Sequence, residues 1–309
     1  MKVLVAGATG TLGGPLLHAL GSAGHEVIGI ARSDKSAQVV RKRGGRPVIA
    51  DVMDRDALLR AVDDIRAEAV LHELTALKKA PARFSDMAET DRLRIEGSAN
   101  LLEAARTVGA TRFVTQSIIF GYGYQVAGAV DESAPFGELA GDATDQPIQA
   151  MVSAEQQAFH VPGIDGIALR YGLFYGADAA IMVGMLNRWS LPVPTKWRGT
   201  LGFIHHEDAA AATVAALERG IAGRAYNIVD DTPVSWREFV ETVARVYQTK
   251  KPIALPDGLL RAVAPYAGTV MTRVNMQVSN ARARQELGWE PRYASVGEGL
   301  RASHSRGRG

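Results

Sequence analysis

The stretch Val3-Leu4-Val5-Ala6-Gly7-Ala8-Thr9-Gly10-Thr11-Leu12-Gly13 decides the fold. Val3 to Ala6 is short, apolar and rich in β-branched residues, as a buried parallel strand is. Beyond the glycines, Leu12, Leu16, Leu17 and Leu20 recur at helical spacing. Pro15 falls in the first turn of that helix, where its missing N–H costs little. Gly21 and Gly24 can end it, and His25 to Ile30 reads as a second strand. A turn between strand and helix gains something from glycine: a phosphate can approach the backbone N–H groups at the helix N-terminus. The spacing is Gly-x-x-Gly-x-x-Gly, not the Gly-x-Gly-x-x-Gly of the commonest dinucleotide folds. A tight turn that binds nothing is the plainer alternative. The strand–turn–helix setting favours nucleotide binding.

Working outward, the chain has 309 residues, enough for one large domain or two smaller ones. Lys and Arg number 35 against 33 Asp and Glu, a net charge of +2. That balance is not the footprint of a nucleic-acid binder. Cysteine is absent, which excludes disulfides, Cys-ligated zinc, iron–sulfur clusters and thiol catalysis. No apolar run is long enough for a membrane span, and no leader pattern precedes the first strand. The expectation is a cytoplasmic protein with a small-molecule partner. Oligomeric state is not readable.

Strand and helix patterns continue to alternate. Pro47 to Ala50, Ala69 to His72, Arg112 to Gln116, Ile164 to Tyr171 and Ala225 to Val229 read as strands. Arg94 to Val108, ending at Gly109, reads as a long helix, as do Ile148 to Phe159, Asp208 to Arg219 and Trp236 to Val246. Such alternation predicts an α/β fold with a Rossmann-type, doubly wound parallel sheet. The stretch Gly121 to Pro147 is too long for a simple connection and suggests a functional loop. The tail 303–309 is expected to be disordered.

Gly7 to Gly13 resembles the signature of the short-chain dehydrogenase/reductase superfamily, in its extended and atypical, epimerase/dehydratase-like branch. The resemblance covers most of the chain, down to Asn280-Ala281-Arg282 and Leu287-Gly288-Trp289-Glu290-Pro291, which match a closing pattern of that branch. It implies a dinucleotide-binding domain at 1–171, with 202–230 returning to the sheet. A small substrate lobe would come from 172–201 and 231–302. It places the cofactor on Gly7, Thr9, Gly10, Thr11, Leu12 and Gly13, on Asp51 and Val52, and on Leu74, Thr75, Gln116, Gly172 and Leu173. For Asp51 a local capping role is the alternative. At the tip of the second strand an acidic residue suits NAD and an arginine suits NADP. Arg32 stands there with Ser33, favouring NADP; the neighbouring Asp34 keeps NAD as the second reading.

Ser117, at the end of the fifth strand, matches the superfamily serine that bonds the substrate's reacting oxygen. The family's acid/base pair, Tyr-x-x-x-Lys on the helix before the sixth strand, is missing. Gly141 to Pro162 contains neither Tyr nor Lys. Alignment puts Met151 with Pro147 or Glu155 at the two positions, and none of these can do that proton transfer. Tyr247 to Lys251 has the right spacing but lies in the C-terminal lobe, so it reads as chance. Tyr122, the tyrosine nearest Ser117 in sequence, is the candidate substitute acid; Tyr124, Tyr171 and Tyr175 are weaker ones. His205-His206-Glu207-Asp208 lacks metal-site spacing and reads as helix capping. His72 and Glu73 are polar residues near the expected cofactor. Trp189, Trp197, Phe203, Met182 and Met185 suit an apolar pocket or a packed core equally well.

These features predict an NADP-dependent oxidoreductase acting on a small organic substrate. An epimerase- or dehydratase-like isomerase or lyase, and a non-catalytic NADP sensor, are the alternatives. Fold alone does not separate them.

Overall fold

A computed structural model describes residues 1–77, 80–124, 127–176 and 178–306. Five strands come first: β1 Lys2–Ala6, β2 Glu26–Ala31, β3 Arg46–Ile49, β4 Ala69–His72 and β5 Arg112–Ile118. Three more follow: β6 Ala127–Val130, β7 Asp165–Tyr171 and β8 Leu173–Tyr175. The main sheet has seven strands, all paired in parallel. From one edge the order is the strand Arg224–Ile228, β7, β5, β4, β1, β2 and β3.

The alternation of side chains along β1 explains the double winding. Val3 and Val5 enter one core with Leu16, Leu17 and Leu20 of α1 (Gly13–Ser22) and with α8 (His206–Arg219). Leu4 and Ala6 enter another with Leu58 of α3 (Arg55–Val62) and Leu101 of α5 (Ser98–Val108). Both faces of the strand are buried, so it reads as a continuous apolar run. A third apolar cluster joins α9 (Trp236–Val246) and α11 (Pro265–Arg273) to the far end of the sheet, forming a lobe above it.

The fold matches the doubly wound expectation, with local corrections. The predicted helix from Arg94 begins earlier, as α4 (Ala88–Arg92), and passes through a wide π-type turn at Leu93–Gly97 before α5. Strand β5 extends to Ile118, so Ser117 lies within it. Helix α6 spans Asp145–Phe159; its start is fixed by Asp145, whose carboxylate accepts from the N–H groups of Ala140 and Gly141. The stretch after Gly121 is more than a loop: β6 pairs in parallel with the strand Asn275–Val278 of the lobe.

The expected disorder from residue 303 is also corrected. Helix α13 runs from Val296 to Arg306. Ser303 Oγ lies 2.9 Å from His205 Nε2, and Arg306 pairs with Glu207, which holds the last turn against α8. Residues 307–309 lie outside the described residues.

Candidate functional site

A cleft of about 930 Å³ opens at the C-terminal ends of the strands, where β1 and β4 lie side by side but their following segments diverge. In doubly wound sheets this is where ligands bind. Its size suits a dinucleotide or a drug-sized molecule.

The glycine turn forms one wall. Gly7 has a φ of 105°, and a Cβ there would stand 2.5 Å from the Glu73 carbonyl oxygen. A Cβ on Gly13 would stand 2.5 Å from the Ala8 carbonyl oxygen. Only glycine allows the turn to close this tightly. Arg43 holds it from outside, donating to the carbonyls of Ala8 at 2.7 Å and Gly10 at 3.1 Å. Helix α1 has no side-chain cap and no acid in its first turn. Its unpaired N–H groups face the cleft as an anion site. These are the features a dinucleotide pyrophosphate requires, so the residues present fit that group.

The end of the cleft beside β2 is polar. Arg32, Ser33 and Ser36 line it at the tip of β2. The Ser33 hydroxyl caps α2 (Asp34–Lys42) in a reciprocal box with Ser36, so the N-terminus of α2 lies at this end with its cap made and Asp34 in its first turn. Asp51 and Val52 line the next wall. The Asp51 carboxylate accepts from Met53 N at 3.0 Å, which is a local turn, while Asp54 caps α3. Leu74, Thr75, Gln116, Gly172 and Leu173 also line the cleft, together with Thr9, Gly10, Thr11, Leu12 and Gly13. The Gln116 amide donates to the Leu74 carbonyl and so fixes the loop after β4.

Ser117 reaches the same cleft. It is 1% exposed, and its Oγ has no hydrogen-bond partner within the protein. A buried hydroxyl without a partner is costly unless a ligand supplies one.

Tyr122 does not come to the cleft, which overturns its candidacy as the proton donor. A 3₁₀ turn at Ile119–Tyr122 rotates it back into the core. Its hydroxyl donates to Asn227 Oδ1 at 2.8 Å and accepts from Arg170 Nη1 at 2.9 Å. Burial, opposed by the Arg170 charge, raises the phenol's pKa. Arg170 in turn makes a two-pronged buried pair with Glu155 of α6, at 3.0 and 2.7 Å. Glu155 is therefore a structural partner of Arg170. Among the described residues, α6 contributes nothing to the cleft lining. Trp189, Trp197, Phe203, Met182 and Met185 do not line it either; Phe203 and both methionines pack into the lobe cluster, and Trp189 is half exposed.

The lining also holds two weaker candidates from the sequence, Tyr171 and Glu73, and residues the sequence did not assign to the cleft, Phe174, Asp178, His206 and Arg94. Tyr171 reaches the wall, but its hydroxyl is engaged between Glu73 Oε1 at 3.1 Å and Thr213 Oγ1 at 2.7 Å. Burial pushes the Glu73 carboxyl up to about 8. Asp178, Phe174 and His206 form the opposite wall. The Phe174 and His206 rings stack with centroids 5.3 Å apart, and His206 Nδ1 donates to the Tyr175 carbonyl at 2.7 Å. Burial lowers the His206 pKa and raises that of Asp178, while their charges attract each other. Arg94, from the π-type turn, lines the cleft at 3% exposure. Its only signal in sequence is a cation on an otherwise buried helix face. His205 caps α8, its Nδ1 accepting from Glu207 N. His72 is buried; burial lowers its pKa to about 4.

The family model for the NAD dependent epimerase/dehydratase family matches residues 3–229. A 3-diazoavenalumate denitrifying reductase from a Streptomyces species is 37% identical, covering 97% of this chain and 99% of that protein. A 4-hydroxy-2-methyl-3-oxo-4-farnesyl-3,4-dihydroquinoline-1-oxide ketoreductase from Stigmatella aurantiaca is 26% identical over 99% of the chain and 97% of its own length. Among solved structures, a UDP-glucose 4-epimerase from Thermotoga maritima with UDP-glucose superposes with a TM-score of 0.79. That match covers 100% of this chain and 99% of the other, at 21% identity, and bears on the fold alone. Among the described residues no helix is long and apolar enough to cross a membrane.

Proposed function

Because the chain belongs to the NAD dependent epimerase/dehydratase family, we propose that it is an NADP-dependent reductase of a small organic substrate, one whose reduction needs no proton from a tyrosine–lysine pair. The observation that carries this reading is the unpartnered Ser117 hydroxyl in the cleft that the glycine turn opens on, with no free phenol and no lysine among the described lining residues.

When bound, the nicotinamide supplies a hydride. The glycine turn and the N-terminus of α1 hold the pyrophosphate. Arg32 receives the 2′-phosphate, through a planar guanidinium suited to phosphate oxygens. Ser117 orients the substrate by a hydrogen bond from its Oγ. Tyr171 and Phe174 close the far wall and keep water from the reacting carbon.

The two relatives named as reductases support the reaction class. The diazo substrate in one relative's name fits the missing acid/base pair. Replacing a diazonium group by hydrogen releases N₂, which departs with the C–N bonding pair, and no proton is taken up. A site of this kind has no use for a tyrosine acid.

The test is NADPH consumption by the purified protein on a panel of diazonium, quinone and carbonyl compounds. The reading expects turnover with at least one, N₂ release from a diazonium substrate, and loss of turnover in Ser117→Ala with NADPH binding intact. No consumption across the panel overturns it. Binding should favour NADPH over NADH by about tenfold or more, since a charge-assisted contact contributes roughly 1.5–3 kcal/mol. Arg32→Ala should erase that preference; equal affinities in the native protein reject NADP.

A further inference from the structure

We infer that Arg94 forms an anion-binding subsite at the substrate end of the cleft and selects substrates that carry a carboxylate. The inference rests on the reductase reading only in calling the bound molecule a substrate.

The helix that carries Arg94 is continuous from α4 to α5 apart from the π-type turn Leu93–Gly97. Such a turn adds a residue to the helical repeat and re-aims the side chains beside it, and it recurs at functional sites. Here it turns Arg94 inward to 3% exposure, while its neighbour Ile95 remains 44% exposed.

A guanidinium has five N–H donors. Arg94 uses one of them, from Nη1 to Asp91 Oδ1 at 3.3 Å. Its Nε is buried without a partner, as are Asp91 Oδ2 and the hydroxyl of Ser98 one turn further on. A structural buried pair is normally forked and saturated. The protein provides its own example in Arg170 and Glu155, joined by two short bonds. Arg92, which also lines the cleft, is half exposed and already forked onto Glu96. Arg94 alone of these three is buried with most of its donors unmet.

Its place is also right. The Arg94 charge acts on His72 at the end of β4, and on the hydroxyls of Tyr124 and Tyr266, the second of which belongs to the lobe. The guanidinium therefore stands between the sheet and the lobe, in the cleft that Ser117 also lines. Arg32 marks the end of the same cleft beside β2. The cleft thus has an arginine at each end, and the inner one, paired with Asp91 through Nη1 alone, keeps its Nε buried and unmet for a carboxylate.

The experiment measures binding to the NADP⁺-saturated protein by calorimetry, without turnover. The probes are matched carboxylates and their uncharged amides: benzoate and benzamide, 4-hydroxycinnamate and its amide, hexanoate and hexanamide. At least one carboxylate should bind about tenfold or more tightly than its amide. Arg94→Gln should remove that preference and leave the NADP⁺ affinity unchanged. Because Arg94→Gln strands Asp91, the double variant R94Q/D91N and the charge-preserving Arg94→Lys are measured beside it. The double variant should lose the preference, and Arg94→Lys should keep part of it. If no carboxylate outbinds its amide, or if the preference survives both neutral variants, the inference is wrong. Carboxylate selection in a protein that never consumes NADPH would defeat the reductase reading and leave the subsite standing. Turnover without carboxylate selection would do the reverse.

Discussion

Gly13 and Glu73 show how single residues shape the cleft. A Cβ on Gly13 would meet the Ala8 and Gly7 carbonyl oxygens at 2.5 and 2.6 Å, both backbone atoms that cannot swing aside. Gly13→Ala should weaken NADPH binding about tenfold or more in a fluorescence titration, and unchanged affinity would show that the turn does not hold the pyrophosphate. Burial raises the Glu73 carboxyl to about 8, opposed by its bond from Tyr171. Its folded value lies above the unfolded one, so its stabilising share is complete below about pH 4.5 and is lost as pH rises toward 8. Glu73→Gln carries no such loss. Its melting-temperature gain over the native protein should be least near pH 5 and greatest near pH 8, and a constant difference would contradict the sign. The glycines were legible because their backbone demand is local. Tyr122 was misread because proximity to Ser117 along the chain is undone by the turn at Ile119–Tyr122, which points it at Arg170. Arg94 was not singled out, since its one signal, a cation on an otherwise apolar helix face, does not separate a buried arginine from one whose head reaches solvent.

Among the elements, α6 and α9 carry opposite lessons. Helix α6, which offers neither Tyr nor Lys, serves as a packing helix: Met151 is buried in the lobe cluster and Glu155 is bound to Arg170. Glu155→Ala leaves a buried guanidinium unpaired and should cost about 3–5 kcal/mol in denaturant unfolding. A loss below about 1 kcal/mol would mean water reaches Arg170. In α9, Ser235 and Glu238 form a capping box, Ser235 Oγ accepting from Glu238 N and Glu238 Oε2 from Ser235 N. Ser235→Ala should cost about 1 kcal/mol by the same measurement. This helix was read from the sequence with its observed ends, Trp236 and Val246, because cap and periodicity agree. So was β4, a buried apolar run bounded on both sides. The helix read from Arg94 fared worse, because a π-type turn keeps the chain helical while shifting its phase, and apolar periodicity does not reveal where.

At the scale of the whole molecule, the sheet was legible from composition, and a lobe was expected only through the family resemblance. Parallel strands announce themselves by composition, whereas the lobe is built from pieces far apart in sequence: β6, α9, α11 and the strand Asn275–Val278. The closing helix α13 joins this assembly through Val296 and Leu300, while Ser303 and Arg306 tie its last turn to His205 and Glu207 at the start of α8. Truncation after Ala302 should lower the melting temperature by a few degrees, the loss of about 1–2 kcal/mol of contacts to α8. An unchanged melting temperature would return residues 303–306 to the status of a loose tail. The pairing of Ala127 with Asn275 also has a bearing on how the protein is made. On the ribosome, β6 emerges roughly 150 residues ahead of its partner, which at about 5–20 residues per second is a wait of roughly 8–30 s. The nucleotide-binding half can shape itself during that interval. Until Asn275–Val278 has emerged β6 remains an unpaired edge, and this is the window in which a chaperone would find the nascent chain.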